Sequence, residues 1–342
     1  MTLDPHLDPS RRDLLRAAGS AAGIAALGLP LRPLRAADAA SPSGAPLPRR
    51  RLGRTGLDVT CHVLGTGSFG NADDVTLDES VAIVNLALDL GVNYVDTAPL
   101  YKKAEEAVGR ALGARRREIV LATKVWADTV EEAEKSLASS LKVLKTDAID
   151  ILYLHSLGNR SAEALRPDGG VFAWLVKRRR AGACRFVGIS GHNLPARFLP
   201  FIESGECDVA MMNMSFADRH TYNFEERVLP AARKKDVGVI AMKVFGGPDP
   251  ATGSWSTRAS KPRVGEDRLA LAVRYALTLP GVAAVNLGAM TADQLRQNVD
   301  LVRRFTPLSD AEMAEALKIG KGLAAAWGPH YGPVEEAEGR PR

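Results

Sequence analysis

The stretch NYVDTAPLY (93–101) places a carboxylate, Asp96, and a phenol, Tyr101, at the end of a short apolar run. Two later apolar runs also carry polar side chains at their ends: IVLATKV contains Lys124, and IDILYLH ends on His155. Short apolar runs of this kind are typical of buried strands. Because the ends of parallel strands converge on one rim, the sequence predicts that these four side chains share one proton-donating site.

The rest of the chain repeats the same unit, an apolar run followed by a helical pattern. The runs cover 62–65, 93–97, 119–125, 148–155, 185–190, 208–214, 238–244 and 282–288. The helical patterns cover 77–90, 104–112, 130–144, 171–181, 195–203, 224–235, 266–279 and 291–304. Eight strand–helix units predict an α/β fold, a (β/α)8 TIM barrel spanning residues 50–328.

Three segments lie outside this repeat. RRLGRTGLDVT (50–60) predicts an N-terminal β-hairpin that closes the bottom of the barrel. The Gly/Pro/Ser-rich stretch Gly246–Gly265 predicts a long loop after the seventh strand, and long loops in compact domains are usually functional. Ser309 begins the pattern of an extra C-terminal helix, after which 329–342 reads as a polar tail.

The first 39 residues have the parts of a twin-arginine signal peptide. Arg11 and Arg12 precede a weakly apolar stretch, and Ala37-Asp38-Ala39 supplies a small-x-small cleavage pattern. We therefore expect recognition by the twin-arginine export machinery, a periplasmic or exported protein, and a flexible linker over 40–49. The alternative is an alanine-rich tail with a chance arginine pair. The apolar stretch is shorter than a typical membrane span, so none is expected after processing.

Composition excludes several classes of function. The 342 residues are 46% hydrophobic and 25% charged, and the formal net charge is +5 with basic residues spread along the chain, so nucleic-acid binding is not expected. The three cysteines form no C-x-x-C pair, and no clustered ligands predict a metal site.

The motif GTGSFG (65–70) fits the G-x-G-x-x-G pattern of dinucleotide-binding Rossmann folds. In that motif the helix begins inside the glycine turn, whereas here 71–76 separate the glycines from the first helical periodicity. The eight consecutive strand–helix units also favour a barrel over a Rossmann sheet.

The chain resembles the aldo-keto reductase family from about Leu52 to Leu308. The matching motifs are LGRTGLDVT, LGTGSFG, DTAPLYKKAEEAVGRAL, ATKV, LYLH, GISGHN and GAMTADQLRQNV. The resemblance implies a barrel enzyme that reduces carbonyl compounds with NADP or NAD. It also implies a catalytic tetrad, in which Tyr101 donates the proton, Lys124 lowers the pKa of Tyr101, Asp96 pairs with Lys124, and His155 orients the carbonyl.

Elementary electrostatics supports those roles independently. Free tyrosine has a pKa of about 10, and a neighbouring ammonium favours the phenolate. At roughly 4 Å and an effective dielectric near 20, such a pair is worth about 4 kcal/mol. A carbonyl oxygen that accepts hydrogen bonds from Tyr101 and His155 becomes a better hydride acceptor, and only a nicotinamide can supply the hydride.

The resemblance also implies a set of cofactor contacts. Ser190 is expected to bind the carboxamide, and the segments after the seventh and eighth strands are expected to bind the pyrophosphate and the adenosine. The full set of implied contacts is Gly67, Ser190, Asn213, Lys243, Phe245, Gly246, Gly288, Met290, Gln294 and Asn298. The sequence departs from the family at Met242, where a stacking aromatic is usual, and at Met211, where a glutamine is usual. Gly288 and Gln294 stand where a positive pair usually holds a 2′-phosphate, so the choice between NADP and NAD stays open.

Three functions follow as expectations. The first is a carbonyl, aldehyde or sugar reductase, or the reverse alcohol dehydrogenase. The second is an exported oxidoreductase that keeps NAD(P) tightly bound and performs paired oxidation and reduction or epimerisation. The third is a non-catalytic barrel that senses nucleotide or binds a partner. Phe69, Trp126 and Trp255 are the candidate substrate contacts, with His192 and Tyr331 as further residues near the mouth.

Overall fold

The strands of the chain form one hairpin and one closed barrel in a computed structural model that describes residues 44–160, 165, 168–252 and 256–336. The strands are β1 (Arg49–Arg51), β2 (Asp58–Thr60), β3 (His62–Gly65), β4 (Tyr94–Asp96), β5 (Val120–Val125), β6 (Ile149–Leu154), β7 (Cys184–Gly191), β8 (Val209–Asn213), β9 (Gly238–Met242) and β10 (Val282–Gly288). Strands β3 to β10 pair in parallel in chain order, and β10 pairs with β3 to close the barrel. The predicted (β/α)8 barrel is confirmed.

The predicted hairpin is also present, with β1 antiparallel to β2. Its turn sends Leu52 into the interior of the barrel, where the side chain is fully buried. A Cβ atom on Gly238, at the start of β9, would lie 2.6 Å from the Leu52 side chain, so only glycine permits this close approach. Leu52 therefore closes the bottom of the barrel. The four predicted catalytic side chains lie at the opposite end.

Eleven helices lie among the described residues. They are α1 (Gly67–Asn71), α2 (Leu77–Asp89), α3 (Ala104–Leu112), α4 (Val130–Leu144), α5 (Gly170–Arg180), α6 (Leu199–Glu203), α7 (Phe224–Arg227), α8 (Leu229–Lys234), α9 (Leu269–Thr278), α10 (Ala292–Arg303) and α11 (Asp310–Trp327). Thr129 and Ser309 form capping boxes at the starts of α4 and the extra C-terminal helix α11. Such boxes satisfy two otherwise unpaired N–H groups and fix where a helix begins.

Two features of the helices differ from the sequence prediction. The single helix predicted over 224–235 is broken at Val228, because Pro230 cannot donate the next hydrogen bond of a continuous helix. A short helix, α1, begins at Gly67 inside the glycine motif, where no helix was expected. The closed barrel, rather than the position of that helix, is what excludes a Rossmann fold.

The chain after α11 returns over the rim of the barrel. The N–H of Tyr331 donates to the hydroxyl of Tyr222 at 2.7 Å, and Glu335 pairs with Arg227 at 2.7 Å. Residues 329–336 of the predicted polar tail are thus packed against the barrel. Within the part of the chain that the structure describes, every helix is too short or too polar to cross a membrane.

Candidate active site

The C-terminal ends of the barrel strands bring the four predicted catalytic residues together. Asp96 is the last residue of β4, Lys124 lies near the end of β5, and His155 directly follows β6. Tyr101 comes from the loop between β4 and α3, and its ring centroid lies 5.0 Å from Lys124 Nζ and 5.8 Å from the His155 ring.

Lys124 and Asp96 form a buried ion pair at the centre of the site. Lys124 Nζ donates to Asp96 Oδ1 at 2.5 Å and to the carbonyl oxygen of Thr97 at 2.9 Å, and the side chains of the pair are 2% and 3% exposed. Burial disfavours the charged lysine, but Asp96 and Tyr101 outweigh it, so the pKa of Lys124 is raised. The lysine is therefore charged throughout the physiological range.

A residue that the sequence reading missed completes this arrangement. Asn286, on β10, donates from Nδ2 to Asp96 Oδ2 at 2.8 Å, so both carboxylate oxygens of Asp96 are held. Asn286 is placed there by barrel closure, which aligns it with Val63 on β3. No local motif marked it, because its partner lies 190 positions away in the sequence.

Two opposing effects set the pKa of Tyr101. Burial raises the pKa of Tyr101 above its ordinary value of 10.0, and the Lys124 charge opposes this shift without reversing it. Lys124 thus lowers the pKa of Tyr101 as expected, but burial has the larger effect. The phenol is therefore neutral near pH 7, which is the form that can donate a proton.

His155 is a neutral imidazole beside Tyr101. Burial lowers its pKa well below 6.5, and the Lys124 charge adds to this effect. Its Nδ1 atom is buried without a hydrogen-bond partner. The Trp126 ring packs edge-on against it, with ring centroids 5.6 Å apart. A neutral histidine can donate one N–H to a carbonyl oxygen without competing for the proton of Tyr101.

A cleft of about 690 Å³ opens beside these residues and runs along the rim from β3 to α10. Seven of the predicted cofactor residues line it, namely Gly67, Lys243, Phe245, Gly288, Met290, Gln294 and Asn298. Ser190, Asn213 and Gly246 lie near the same strand ends but outside the cleft lining. Met211 and Met242, the two positions at which the sequence departs from the family pattern, form part of the apolar wall of the cleft.

The far end of the cleft is shaped by the turn from β10 into α10. Gln294 Oε1 accepts the N–H of Met290 at 2.8 Å, and Asn298 Nδ2 donates to the carbonyl oxygen of Gly288 at 3.0 Å. Thr291 caps α10 through the N–H of Gln294. These side chains therefore order the backbone of the turn.

The candidate substrate residues are placed differently from one another. Phe69 is fully buried in the hydrophobic core and does not line the cleft. Trp126 lies at the mouth and is 38% exposed. Trp255 lies outside the described residues. His192 lines the cleft, and the Tyr331 ring packs against it at 5.4 Å.

The long loop after β9 reaches across the rim to the segment between α1 and α2. The N–H of Arg258 donates to Asp74 Oδ1 at 2.9 Å, and its guanidinium pairs with Glu79 at 3.1 Å. The carbonyl oxygen of Ser256 accepts the N–H of Asp73 at 2.8 Å. Arg258 and Lys261 also line the cleft, so the loop runs along one side of the cleft. We call this loop, between β9 and α9, the strap.

The residues of the cleft fit a nicotinamide dinucleotide. Gly67 lies directly beside the phenol, because a Cβ atom there would be in van der Waals contact with the Tyr101 ring at 3.5 Å. A Cβ atom on Gly288 would lie 2.0 Å from Ser68 Oγ, so at this position the end of β10 packs closely against Ser68. Behind the cleft lining, Asn213 has a buried carbonyl oxygen, Oδ1, with no hydrogen-bond partner. Within the described ranges, no group of three or more histidine, cysteine or acidic side chains is arranged to hold a metal ion.

Comparison with known proteins agrees with this geometry. A model of the aldo/keto reductase family matches residues 63–263. The oxidoreductase YqkF of Bacillus subtilis is 28% identical over 301 residues, covering 75% of this chain and 92% of that protein. L-galactose dehydrogenase of Arabidopsis thaliana is 28% identical over 291 residues, covering 76% and 89%. The holo form of an aldo-keto reductase from Bacillus halodurans superposes with a TM-score of 0.65 at 26% identity, covering 84% of this chain and all of that one (100%).

Proposed function

Because the chain belongs to the aldo/keto reductase family, and is thus an NAD(P)-dependent oxidoreductase, we propose that Tyr101, Lys124, Asp96 and His155 carry out its carbonyl chemistry. The reaction would interconvert an aldehyde, ketone or sugar carbonyl and the corresponding alcohol. The observation that carries this proposal is the buried Lys124–Asp96 pair beneath the phenol of Tyr101.

In the reducing direction, Tyr101 donates its hydroxyl proton to the carbonyl oxygen of the substrate. The phenolate that remains is stabilised by the Lys124 ammonium, which Asp96 holds in place. Water regenerates the phenol after the alcohol leaves. The raised pKa of Tyr101 keeps the donor protonated before the reaction, and Lys124 lowers the cost of the anion that forms during it.

His155 acts by orientation and polarisation. Its neutral ring donates one N–H to the same carbonyl oxygen, so the oxygen accepts two hydrogen bonds as negative charge develops on it. Donors aimed at developing charge in a water-poor site contribute strongly to catalysis. The edge contact with Trp126 fixes the ring plane.

The cofactor would lie along the cleft, with its nicotinamide near Gly67 and Asn213 and its adenosine end near Gly288 and Gln294. A bound nicotinamide supplies or accepts the hydride of the reaction. The residues of this chain hold the ring near Tyr101, exclude water and manage the proton. Serine and amide side chains such as Ser190 and Asn213 suit a carboxamide.

A second candidate function is favoured by the strap of the β9–α9 loop. We infer from the paired arginines of residues 1–39, which lie outside the described residues, that the protein is exported by the twin-arginine pathway. We further infer that it retains NAD(P) acquired before export, because Arg258 ties the strap to Asp74 and Glu79 beside the cleft. A retained cofactor would support paired oxidation and reduction of two substrates, or epimerisation. Protein that is purified after export and contains no nicotinamide nucleotide would contradict this idea.

The proposed function is tested by a screen of small aldehydes, ketones and sugars with NADH and NADPH compared side by side. We expect nucleotide oxidation that depends on the carbonyl compound and is lost in Tyr101→Phe. Turnover of paired substrates without added nucleotide would identify the second candidate. If Tyr101→Phe retained the full activity of the wild type, the proposed role of Tyr101 would be rejected.

A further inference from the structure

We propose that Arg160 is a positioning residue for the reaction, which stacks on Trp126 and through that ring fixes the plane of the His155 imidazole. This role rests on the function proposed above and adds a residue to it that acts on another side chain rather than on the substrate. The Arg160 side chain is 1% exposed, so its guanidinium is buried beside the mouth of the site.

Strand pairing brings the three side chains together. Trp126 directly follows β5 and His155 directly follows β6, and these two strands pair in parallel. The chain then turns sharply at Ser156, whose φ angle of 58° lies in the left-handed region. Arg160 follows this turn, where the chain has come back toward the end of β5, so its guanidinium reaches the Trp126 ring.

Two ring contacts connect Arg160 to the imidazole. The guanidinium carbon of Arg160 lies 5.0 Å from the centroid of the Trp126 ring. The Trp126 ring packs edge-on against His155, with the centroids 5.6 Å apart and an angle of 87° between the ring planes. Tryptophan is the aromatic ring that attracts a cation most strongly, and loss of water strengthens the contact. A shift of the guanidinium would therefore move the ring that packs against His155.

Asp128 fixes the guanidinium in this position. Arg160 donates to Asp128 Oδ1 from Nη2 at 2.6 Å and from Nε at 3.0 Å. The N–H of Asp128 in turn donates to Glu132 Oε2 at 3.0 Å, and Glu132 belongs to the capping box that begins α4. The guanidinium is thus attached to the well-defined start of a helix, which gives the Trp126 contact a rigid support.

A contribution to the stability of the fold does not account for this arrangement. The guanidinium is buried, whereas the side chain of its partner Asp128 is 57% exposed. Arg160 Nη1 is also buried, and it has no hydrogen-bond partner among the described residues. Burying a charge with an incomplete set of hydrogen bonds costs free energy. The effect of Arg160 on its neighbour Trp126 therefore explains its burial better.

The effect of Arg160 on His155 is mainly geometric. Burial lowers the pKa of His155, and the charges of Lys124 and His192 add to this effect more than the charge of Arg160 does. The imidazole is therefore neutral without Arg160. Within the described part of the chain, His155 Nδ1 is buried without a hydrogen-bond partner, so the packing of the Trp126 ring orients the imidazole in place of a hydrogen bond.

The test compares Arg160→Met with the wild type and with Arg197→Met in the full chain. Arg197 is the matched control, because its Nη1 atom donates to the carbonyl oxygens of Leu157 and Arg160 at 2.8 and 2.6 Å, and so supports the same loop through its backbone. The chemical shifts of the His155 ring protons are measured by NMR on histidine-labelled protein. Steady-state kinetics with a carbonyl compound gives kcat, and titration gives the affinity for NADH and NADPH.

We expect Arg160→Met to shift the His155 ring protons and to lower kcat by about 5- to 30-fold, as the loss of a desolvated cation–π contact predicts, with nucleotide affinity unchanged. Arg197→Met should leave the shifts and kcat at their wild-type values. In a Trp126→Ala background, Arg160→Met should lower kcat by less than about twofold further, because both changes remove the same contact. If Arg160→Met does not fold, Asp128→Asn replaces it in every measurement, and its effects should be smaller and in the same direction.

The proposal is overturned if Arg160→Met matches Arg197→Met in the His155 shifts or in kcat. It is also overturned if the losses of kcat in Arg160→Met and Trp126→Ala multiply in the double variant, because independent structural damage would produce that result. Failure of the proposed function looks different, because the wild type would then turn over no carbonyl compound. The His155 shifts would still report on the contact between Arg160 and Trp126 in that case.

Discussion

Lys124 Nζ and Asp96 Oδ1 lie 2.5 Å apart in a site where both side chains are almost completely buried. The pair links two neighbouring strands, β5 and β4, and presents its positive partner to Tyr101. A buried pair of this kind adds little net stability compared with apolar residues, but removing one partner leaves an uncompensated charge. The electrostatic effect of the pair on the Tyr101 phenol therefore explains its presence better than a contribution to the stability of the fold.

We predict that Asp96→Asn lowers the free energy of unfolding by about 3–5 kcal/mol, because the Lys124 charge loses its buried partner. Turnover should fall as well, since the ammonium is no longer fixed beneath Tyr101. Denaturant unfolding and steady-state kinetics measure the two effects. The control is Glu131→Gln, which breaks an exposed pair with Lys135 and should change stability by less than about 1 kcal/mol. Equal stability of the two variants would contradict the account.

Asn286 is predicted to be a positioning residue for Asp96. Asn286→Ala removes a hydrogen bond to a buried charge, so we expect about a tenfold or greater loss of kcat, consistent with roughly 1.5–3 kcal/mol for such a bond. Asn93→Ala is the control, because the Asn93 side chain also makes two hydrogen bonds, here to backbone groups at the hairpin end of the barrel. Asn93→Ala should reduce stability without a selective loss of kcat. A selective loss of kcat in Asn93→Ala but not in Asn286→Ala would contradict a positioning role for Asn286.

The strap predicts slow release of the nucleotide. Arg258→Ala should increase the dissociation rate of NAD(P) by up to about fivefold, because the guanidinium loses its contacts with Glu79 and with the carbonyl oxygen of Asp74, and an exposed ion pair is worth at most about 1 kcal/mol. Stopped-flow fluorescence of the reduced nucleotide measures the rate. Arg110→Ala, which breaks exposed ion pairs on α3, should leave it unchanged. Identical rates for the two variants would show that the strap does not retain the nucleotide.

We predict that the free energy of unfolding changes with pH because of Asp218. Burial raises its pKa from 3.8 to about 7, while Ser215 and Asn213 oppose this through hydrogen bonds. The folded state therefore binds the proton more tightly than the unfolded state, and the stabilisation is complete below pH 3.8 and is lost as pH rises through 7.

Asp218→Asn should lack this loss. Its free energy of unfolding, relative to the wild type, should increase by on the order of 2–4 kcal/mol between pH 4 and pH 8. Urea unfolding at several pH values measures the difference, in which the contributions of other titrating groups cancel. Parallel curves of unfolding free energy against pH for the two proteins would contradict a buried Asp218 with a raised pKa.

The sequence predicted the parts of the molecule that depend on local patterns. Apolar runs located the strands, Ser309 located the start of the C-terminal helix, and three polar strand ends with Tyr101 located the cluster of polar side chains at the barrel rim. What it did not predict depends on closure of the barrel and on burial. Asn286 reaches Asp96 only because β10 pairs with β3.

Burial and long-range contacts also account for features that the sequence could not show. The charge of Lys124 was visible in the sequence, but the desolvation that raises the pKa of Tyr101 was not. Phe69 follows a glycine turn like a rim residue, yet its side chain packs into the core. The contact between Arg258 and Glu79 joins segments 179 positions apart, and no periodicity encodes it.

The central claim is that Tyr101 donates the proton in carbonyl reduction. It is tested most directly by single-turnover oxidation of bound NADH or NADPH with a substrate carbonyl, compared between the wild type and Tyr101→Phe. We predict a loss of about 10²- to 10⁴-fold in the rate, with nucleotide affinity unchanged, because phenylalanine keeps the ring and removes the donor. A Tyr101→Phe protein that oxidises the nucleotide at the wild-type rate would contradict the account.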